Sequence, residues 1–177
     1  MSNRTLYFIF GGTVVAIIGL IALTLVLTPE RAKPAYAAAV DFMNAAGTGN
    51  DATAYALLTP TMQDYVDANC PEGSVSACIA AYTPDEWGAL IRDGAAVFRR
   101  ARRDGDAFDV QLVATYEEGQ GFAGVCIYHR MEEMEPGAWR VAGWSGFVSC
   151  DEPGSGLDGL SAPDAPNRVY PAGDRAA

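Results

Sequence analysis

Residues 6–28 hold 23 consecutive positions without a charged side chain, and no other feature constrains the folding of this 177-residue chain as strongly. Only Gly11, Gly12, Thr13, Gly19, Thr24 and Thr28 interrupt a run of Leu, Ile, Val, Ala, Phe and Tyr. At about 1.5 Å of rise per residue a helix of that length spans roughly 34 Å, enough for a bilayer core of about 30 Å. The run predicts a single-pass transmembrane helix over 6–28, with a short tail (1–5) before it and a linker (29–34) after it. Its first partner is then the lipid bilayer.

A secretory signal peptide is the competing reading. Its apolar core is shorter, about 7–15 residues, with a small-residue cleavage site close behind. Ala35-Tyr36-Ala37 fits the A-x-A pattern, so cleavage after Ala37 stays open, although Pro29 and Pro34 separate it from the apolar run. Flanking charge does not orient the span: Arg4 stands on one side, Arg31 and Lys33 with Glu30 on the other. The cysteines orient it better. Cys70, Cys78, Cys126 and Cys150 all follow the span, and an even number in one domain suggests two disulfides, which persist outside a reducing cytosol. The alternative is four buried thiols. Localisation follows as the cell membrane, single-pass, with the C-terminal domain extracytoplasmic.

From Pro34 onward the chain carries 21 acidic against nine basic residues, a net of −12. That balance argues against nucleic acid as a partner. Residues 151–177 hold four Pro, four Gly and five acids with few large apolar side chains, a composition that predicts a disordered tail. The folded domain is accordingly placed at 35–150.

Within it the first half reads helical. Tyr36, Ala39, Val40, Met43 and Ala46 recur at helical spacing up to Gly47. A short helix is expected over 52–58, and Thr59 followed by Pro60 forms an N-cap with proline at the first helical position, opening a helix to Asn69. Thr83, Pro84, Asp85 and Glu86 form a capping box that starts a helix through Trp87, Leu90 and Ile91 to Gly94. The second half turns to period two, with strands expected over 95–103, 108–116, 122–131 and 139–148. Helices followed by strands indicate an α+β fold, short helices packed on a curved antiparallel sheet of about four strands. The loop between Cys70 and Cys78, rich in Pro, Gly and Ser, favours a local bridge there, leaving Cys126 with Cys150. A simple hairpin about 132–137 makes that second pair awkward, because it sets Cys126 nearer Gly143.

At this point the residues resemble a family. Ala39-Val40-Asp41-Phe42-Met43 in a helix behind a membrane segment, then Tyr55-Ala56-Leu57-Leu58-Thr59-Pro60, resembles the opening of a nuclear transport factor 2-like domain. Gly137-Ala138-Trp139-Arg140-Val141 on the closing strand is similar to that superfamily's last strands. The resemblance covers about 36–149 and implies a cone-like fold that hosts isomerases, dehydratases, small-ligand binders and structural modules. In bacteria, membrane-anchored versions serve as scaffold parts of envelope machinery.

Such a fold cannot by itself deliver a function. An enzyme of this kind would place an Asp–His pair or a Tyr–Asp set in the cone, and Asp109, Tyr128 and His129 are the candidate ligand-binding residues. No acid is forced beside His129 by sequence, and no G-x-S-x-G, H-E-x-x-H or phosphate-cradling loop occurs. No catalytic residue, cofactor or metal site is assigned, and the cysteine spacings suit neither zinc nor redox chemistry. The arginines at 99, 100, 102 and 103 read as a solvated edge strand, split between two faces. Trp144 falls out of phase with Trp139, Val141 and Phe147, so it is expected to face away from the helices and form an interface. The favoured reading is a non-enzymatic interaction or accessory module of an envelope complex, partnered by a second copy or by a membrane-complex protein. The alternative is a small-ligand or isomerase-like pocket inside the cone.

Overall fold

A computed structural model describes residues 13, 17, 19, 34–82, 84, 96–115 and 124–172. The chain divides into two units, Met1–Lys33 and Pro34–Ala177. In the first, Thr13, Ile17 and Gly19 are helical. The rest of the span expected over 6–28 lies outside the described residues, among which no helix is long and apolar enough to cross a membrane. The helix expected over 83–94 lies outside them too, Pro84 apart.

The second unit is α+β. Helix α1 (Pro34–Gly47) opens on a proline, which loses nothing at a first helical position, and buries Tyr36, Ala39, Phe42, Met43 and Ala46. Helix α2 (Asp51–Ala56) is capped by the Asn50 side chain, which accepts from the Thr53 N–H. It ends before the expected residue 58 because Leu57 and Thr59 pair with Val141 instead, through Val141 N–H to Leu57 O (2.8 Å) and Thr59 N–H to Val141 O (2.9 Å). Helix α3 (Pro60–Asn69) starts as the Thr59–Pro60 signal predicts, the Thr59 hydroxyl accepting from Met62 N–H. A 3₁₀ turn (Pro71–Gly73) and helix α4 (Val75–Ala80), capped by Ser74, close the Cys70–Cys78 disulfide.

Four strands follow: β1 (Val97–Asp104), β2 (Ala107–Ala114), β3 (Val125–Glu135) and β4 (Ala138–Ser149). They form one antiparallel sheet in the order β1-β2-β3-β4. Val110, Leu112, Ile127, Met131, Val141 and Trp144 face α1 with Phe42 and Met43, all nearly inaccessible to solvent.

Two expectations about this sheet are corrected. Trp144 is 1% exposed, stacks on Phe42 with centroids 6.1 Å apart, and donates its indole N–H to the Tyr82 hydroxyl. The reason is a bulge: Met131 pairs with Val141 but Arg130 with Gly143, so Ala142 is an extra residue that flips the phase of everything after it. Trp144 therefore joins Trp139 and Val141 on the helix side. A second extra residue, Phe147, brings its own ring inward beside Tyr82. The second correction concerns Cys126 and Cys150, which are disulfide-bonded without awkwardness. The β3–β4 turn is only Pro136 and Gly137, so the strands run further and Cys126 lies opposite Val148, two residues from its partner.

The stretch expected to be disordered belongs to the domain as far as residue 172. Residues 151–172 cross the sheet face that points away from the helices. Leu157 and Leu160, on the one-turn helix α5 (Leu157–Leu160), pack against Cys126 and Tyr128. Val169 then pairs antiparallel with Trp144 (N···O 2.8 and 2.9 Å). Gly143 makes that approach possible, because a Cβ there would stand 2.7 Å from the Val169 carbonyl oxygen. The segment lacks a core of its own and borrows the sheet's: each buried Leu or Val is worth about 1.5–3 kcal/mol.

Candidate functional site

The polar positions of the strands are buried under this segment. Asp109, Gln111, Arg130 and Ser145 are each at most 6% exposed. In register, Asp109 sits between Arg102 on β1 and Arg130 on β3, the cross-strand geometry in which opposite charges interact best. Both of its carboxylate oxygens are engaged. Oδ1 accepts from Arg130 (2.7 Å) and from the Tyr128 hydroxyl (2.8 Å), and Oδ2 accepts from Arg102 (3.1 Å). Arg130 also reaches the Asp104 carboxylate at 3.1 Å. Arg102, on the half-exposed side, binds Asp158 and the Ser161 hydroxyl, which ties the cluster to the C-terminal segment.

Further bonds complete that tie. Gln111 donates to the Ser155 carbonyl (2.6 Å), and Arg168 donates to the carbonyls of Ser161 and Ala162. Tyr170 donates to Glu132 (3.2 Å). The Ser145 hydroxyl donates to the Leu160 carbonyl.

Protonation follows from these surroundings. Burial pushes the Tyr128 phenol far above its ordinary value and Asp109 adds to the shift, while Arg130 and Arg168 oppose it. For Arg102, burial works against the charge, but Asp109 and Asp158 outweigh it and hold the guanidinium still more firmly protonated. Tyr170 is raised, by burial first and then by Glu132. The phenols here therefore keep their protons at neutral pH. A phenol held this way can orient and donate a hydrogen bond, but it does not give up its proton near pH 7.

Of the three sequence candidates, Asp109 and Tyr128 come together and His129 does not. Adjacent residues on a strand face opposite ways, so His129 points into the helix-side core. It is wholly buried, edge-on to Phe42 at 5.1 Å, with neither ring nitrogen hydrogen-bonded among the described residues. Burial alone pushes its pKa down to about 3. Its cross-strand neighbour is Val110, not Asp109. Arg102, expected only on a solvated edge strand, and Arg130, given no role by the sequence, complete the cluster around Asp109. The signal was available in the charge register, since both lie opposite Asp109 once the strands are paired. Among the described residues no group of three or more His, Cys, Asp or Glu side chains is placed to hold a metal ion.

Comparison with known protein families, with curated proteins and with solved structures finds no match to this chain.

Proposed function

We propose that this chain is a single-pass, membrane-tethered extracytoplasmic domain that works as a non-enzymatic interaction or accessory module of an envelope complex. The observation that carries the reading is the sealed interior. Phe42, Met43, Met62, Met131, Trp144 and His129 are packed between helices and sheet at under 2% exposure, so the side chains described on the helix side of the sheet present no polar group to an open cone. The polar cluster on the opposite face engages both oxygens of Asp109 with partners on the sheet and reaches Asp158 and Ser161 through Arg102, so it serves as a latch between sheet and C-terminal segment. Two disulfides favour an oxidising compartment, and the apolar run over 6–28 supplies the tether. A nuclear transport factor 2-like architecture remains our reading of the helix-on-sheet layout.

In-cell crosslinking followed by purification of the full chain in mild detergent tests this. The expected result is a stoichiometric protein partner, or a second copy, whose crosslinks map within 34–172. A chain that purifies alone, or that crosslinks only through 1–33, refutes it.

A further inference from the structure

The Cys126–Cys150 disulfide has two unlike ends. Cys126 is wholly buried against Tyr128, Leu157 and Leu160, whereas Cys150, just past β4, is partly exposed. Two donors meet the buried sulfur: an Arg99 guanidinium N–H at 3.2 Å and the Gln111 amide N–H at 3.5 Å. Among the described residues no donor reaches the sulfur of Cys150.

Arg99 is placed there by an irregularity of its strand. Phe98 pairs with Leu112 and Arg100 with Gln111, so Arg99 is an extra residue in β1, and a bulge of this kind re-aims a side chain. Its guanidinium crosses β2 to reach a sulfur on β3. A disulfide sulfur is a weak acceptor and gains little from a cation. A thiolate gains much more, because hydrogen bonds to an ionised acceptor are about twice as strong as neutral ones. Burial beside Leu157 and Leu160 makes a thiolate at Cys126 costly, and the cation and the amide stand where they offset that cost. At the other end Asp151 and Glu152, both exposed, follow Cys150 and disfavour negative charge on its sulfur.

We propose that Cys126–Cys150 is a thiol–disulfide exchange site, opened by an external dithiol that attacks Cys150 and expels Cys126 as a thiolate held by Arg99 and Gln111. The attacking thiolate bonds to Cys150 Sγ, the Sγ–Sγ bond breaks, and its electron pair goes to Cys126 Sγ. The dithiol's second sulfur, as a thiolate, then attacks its first, and Cys150 leaves as a thiolate that takes a proton from water. The dithiol is oxidised to its own disulfide by two electrons, and the protein's disulfide is reduced by the same two. A thiol of lower pKa leaves faster, so the unlike ends give the exchange one direction. Gln111 divides its amide between Cys126 and the Ser155 carbonyl (2.6 Å). Charge on Cys126 therefore draws Gln111 off the C-terminal segment as that segment loses its covalent pin. Exchange thereby loosens the cover over the Asp109 cluster, whether or not the domain docks onto a partner.

Glutathione, a monothiol with no second sulfur of its own, tests the direction on the full chain in mild detergent, with an N-ethylmaleimide quench and peptide mass mapping. Glutathione is expected on Cys150 and maleimide on Cys126, at least about tenfold over the reverse. That species, its Cys70–Cys78 bridge intact by mass, is expected to be cut faster within 151–172 than the parent is. Opening rates in dithiothreitol test the leaving group. Arg99→Met is expected to slow the opening of Cys126–Cys150 at least about threefold while leaving Cys70–Cys78 unchanged. A merely structural Arg99 would give the opposite sign, since its loss would loosen the site and speed opening. Arg103 lies over Phe108 and donates to the Gly105 carbonyl, away from the disulfide, so Arg103→Met is expected to keep the parent rate. Glutathione chiefly on Cys126, a segment as protected as in the parent, or Arg99→Met opening no slower than the parent or than Arg103→Met each overturns the proposal.

Discussion

His129 is the chain's one histidine, and its position makes acid stability a sharp test of the packing. The imidazole is sealed against Phe42 without a hydrogen-bond partner among the described residues, and burial lowers its pKa from 6.5 to about 3. In the unfolded chain it titrates near 6.5. A folded pKa below the unfolded one means that the unfolded state binds the proton first. The native state thus keeps its full advantage above pH 6.5, loses about 1.4 kcal/mol per pH unit below it, and stops losing near pH 3. At pH 5 the loss from this residue is about 2 kcal/mol, and its ceiling is about 5 kcal/mol. His129→Leu removes the titration and the two unsatisfied ring nitrogens, at the expense of an edge-on ring contact worth about 0.5–1.5 kcal/mol. The variant is expected to be at least as stable as the parent at pH 7 and about 2 kcal/mol further ahead at pH 5. Urea unfolding of the full chain in mild detergent, followed by tryptophan fluorescence at several pH values, measures both. Proton NMR supplies a direct check, since a single histidine gives a single ring Cε1–H resonance, expected not to titrate between pH 8 and 5. A midpoint near 6.5 in that resonance, or parallel stability curves for the two proteins, would refute the sealed-histidine account.

Other outcomes follow from the same contacts. Asp109→Ala strands the buried Arg130 and is expected to cost about 3–5 kcal/mol, whereas Arg102→Ala, on the half-exposed side, should cost about 1 kcal/mol or less; comparing the two by denaturant unfolding tests which ion pair matters. Trp144→Asp is expected to abolish folding, because it sets a charge between Phe42 and Tyr82; a folded variant with only altered association would reinstate the surface reading of that residue. Gly143→Ala is expected to push the Val169 strand away and expose 151–172 to limited proteolysis while β1–β3 remain protected. Replacing Cys126 and Cys150 together by Ala should cost about 2–5 kcal/mol, with the same segment released first, as read by proteolysis and mass spectrometry.

Local rules carried the helices well. Thr59 before Pro60 capped α3 as expected, and the apolar spacing of Tyr36, Ala39 and Met43 gave the buried face of α1. These signals lie within a few residues, so nothing distant could override them. The strands were legible as elements but not in phase. Extra residues at Ala142 and Phe147 leave no mark in a pattern of alternation, and one such residue was enough to send Trp144 to the wrong face on paper. The candidate site was half legible. Asp109 and Tyr128 were picked out singly, but their partners are Arg130 and Arg102, which only strand pairing brings opposite Asp109. His129 is a candidate as the chain's one histidine, a possible half of an Asp–His pair, but it adjoins Tyr128 in sequence, which on a strand is the relation that separates two side chains.

The C-terminal segment explains the largest gap, for composition misjudges a segment that borrows another element's core. Leu157 and Leu160 are too few to build a hydrophobic centre, but they are enough to complete one whose other half is Cys126 and Tyr128, while Val169 joins the helix-side core beside Trp144. The Pro and Gly that signal disorder also let the backbone turn back on itself and offer carbonyls to Gln111 and Arg168. The segment is stapled at both ends, by the Cys126–Cys150 disulfide where it leaves β4 and by the Val169 bridge where it returns. Closing the intervening chain costs entropy that grows only slowly with length, so two staples and three apolar anchors suffice to hold it. Once held, it removes water from the Asp109 cluster and strengthens the ion pairs that help hold it. Sheet face and cover should therefore come apart together, and the polar face that reads as a solvent surface is the domain's second interior.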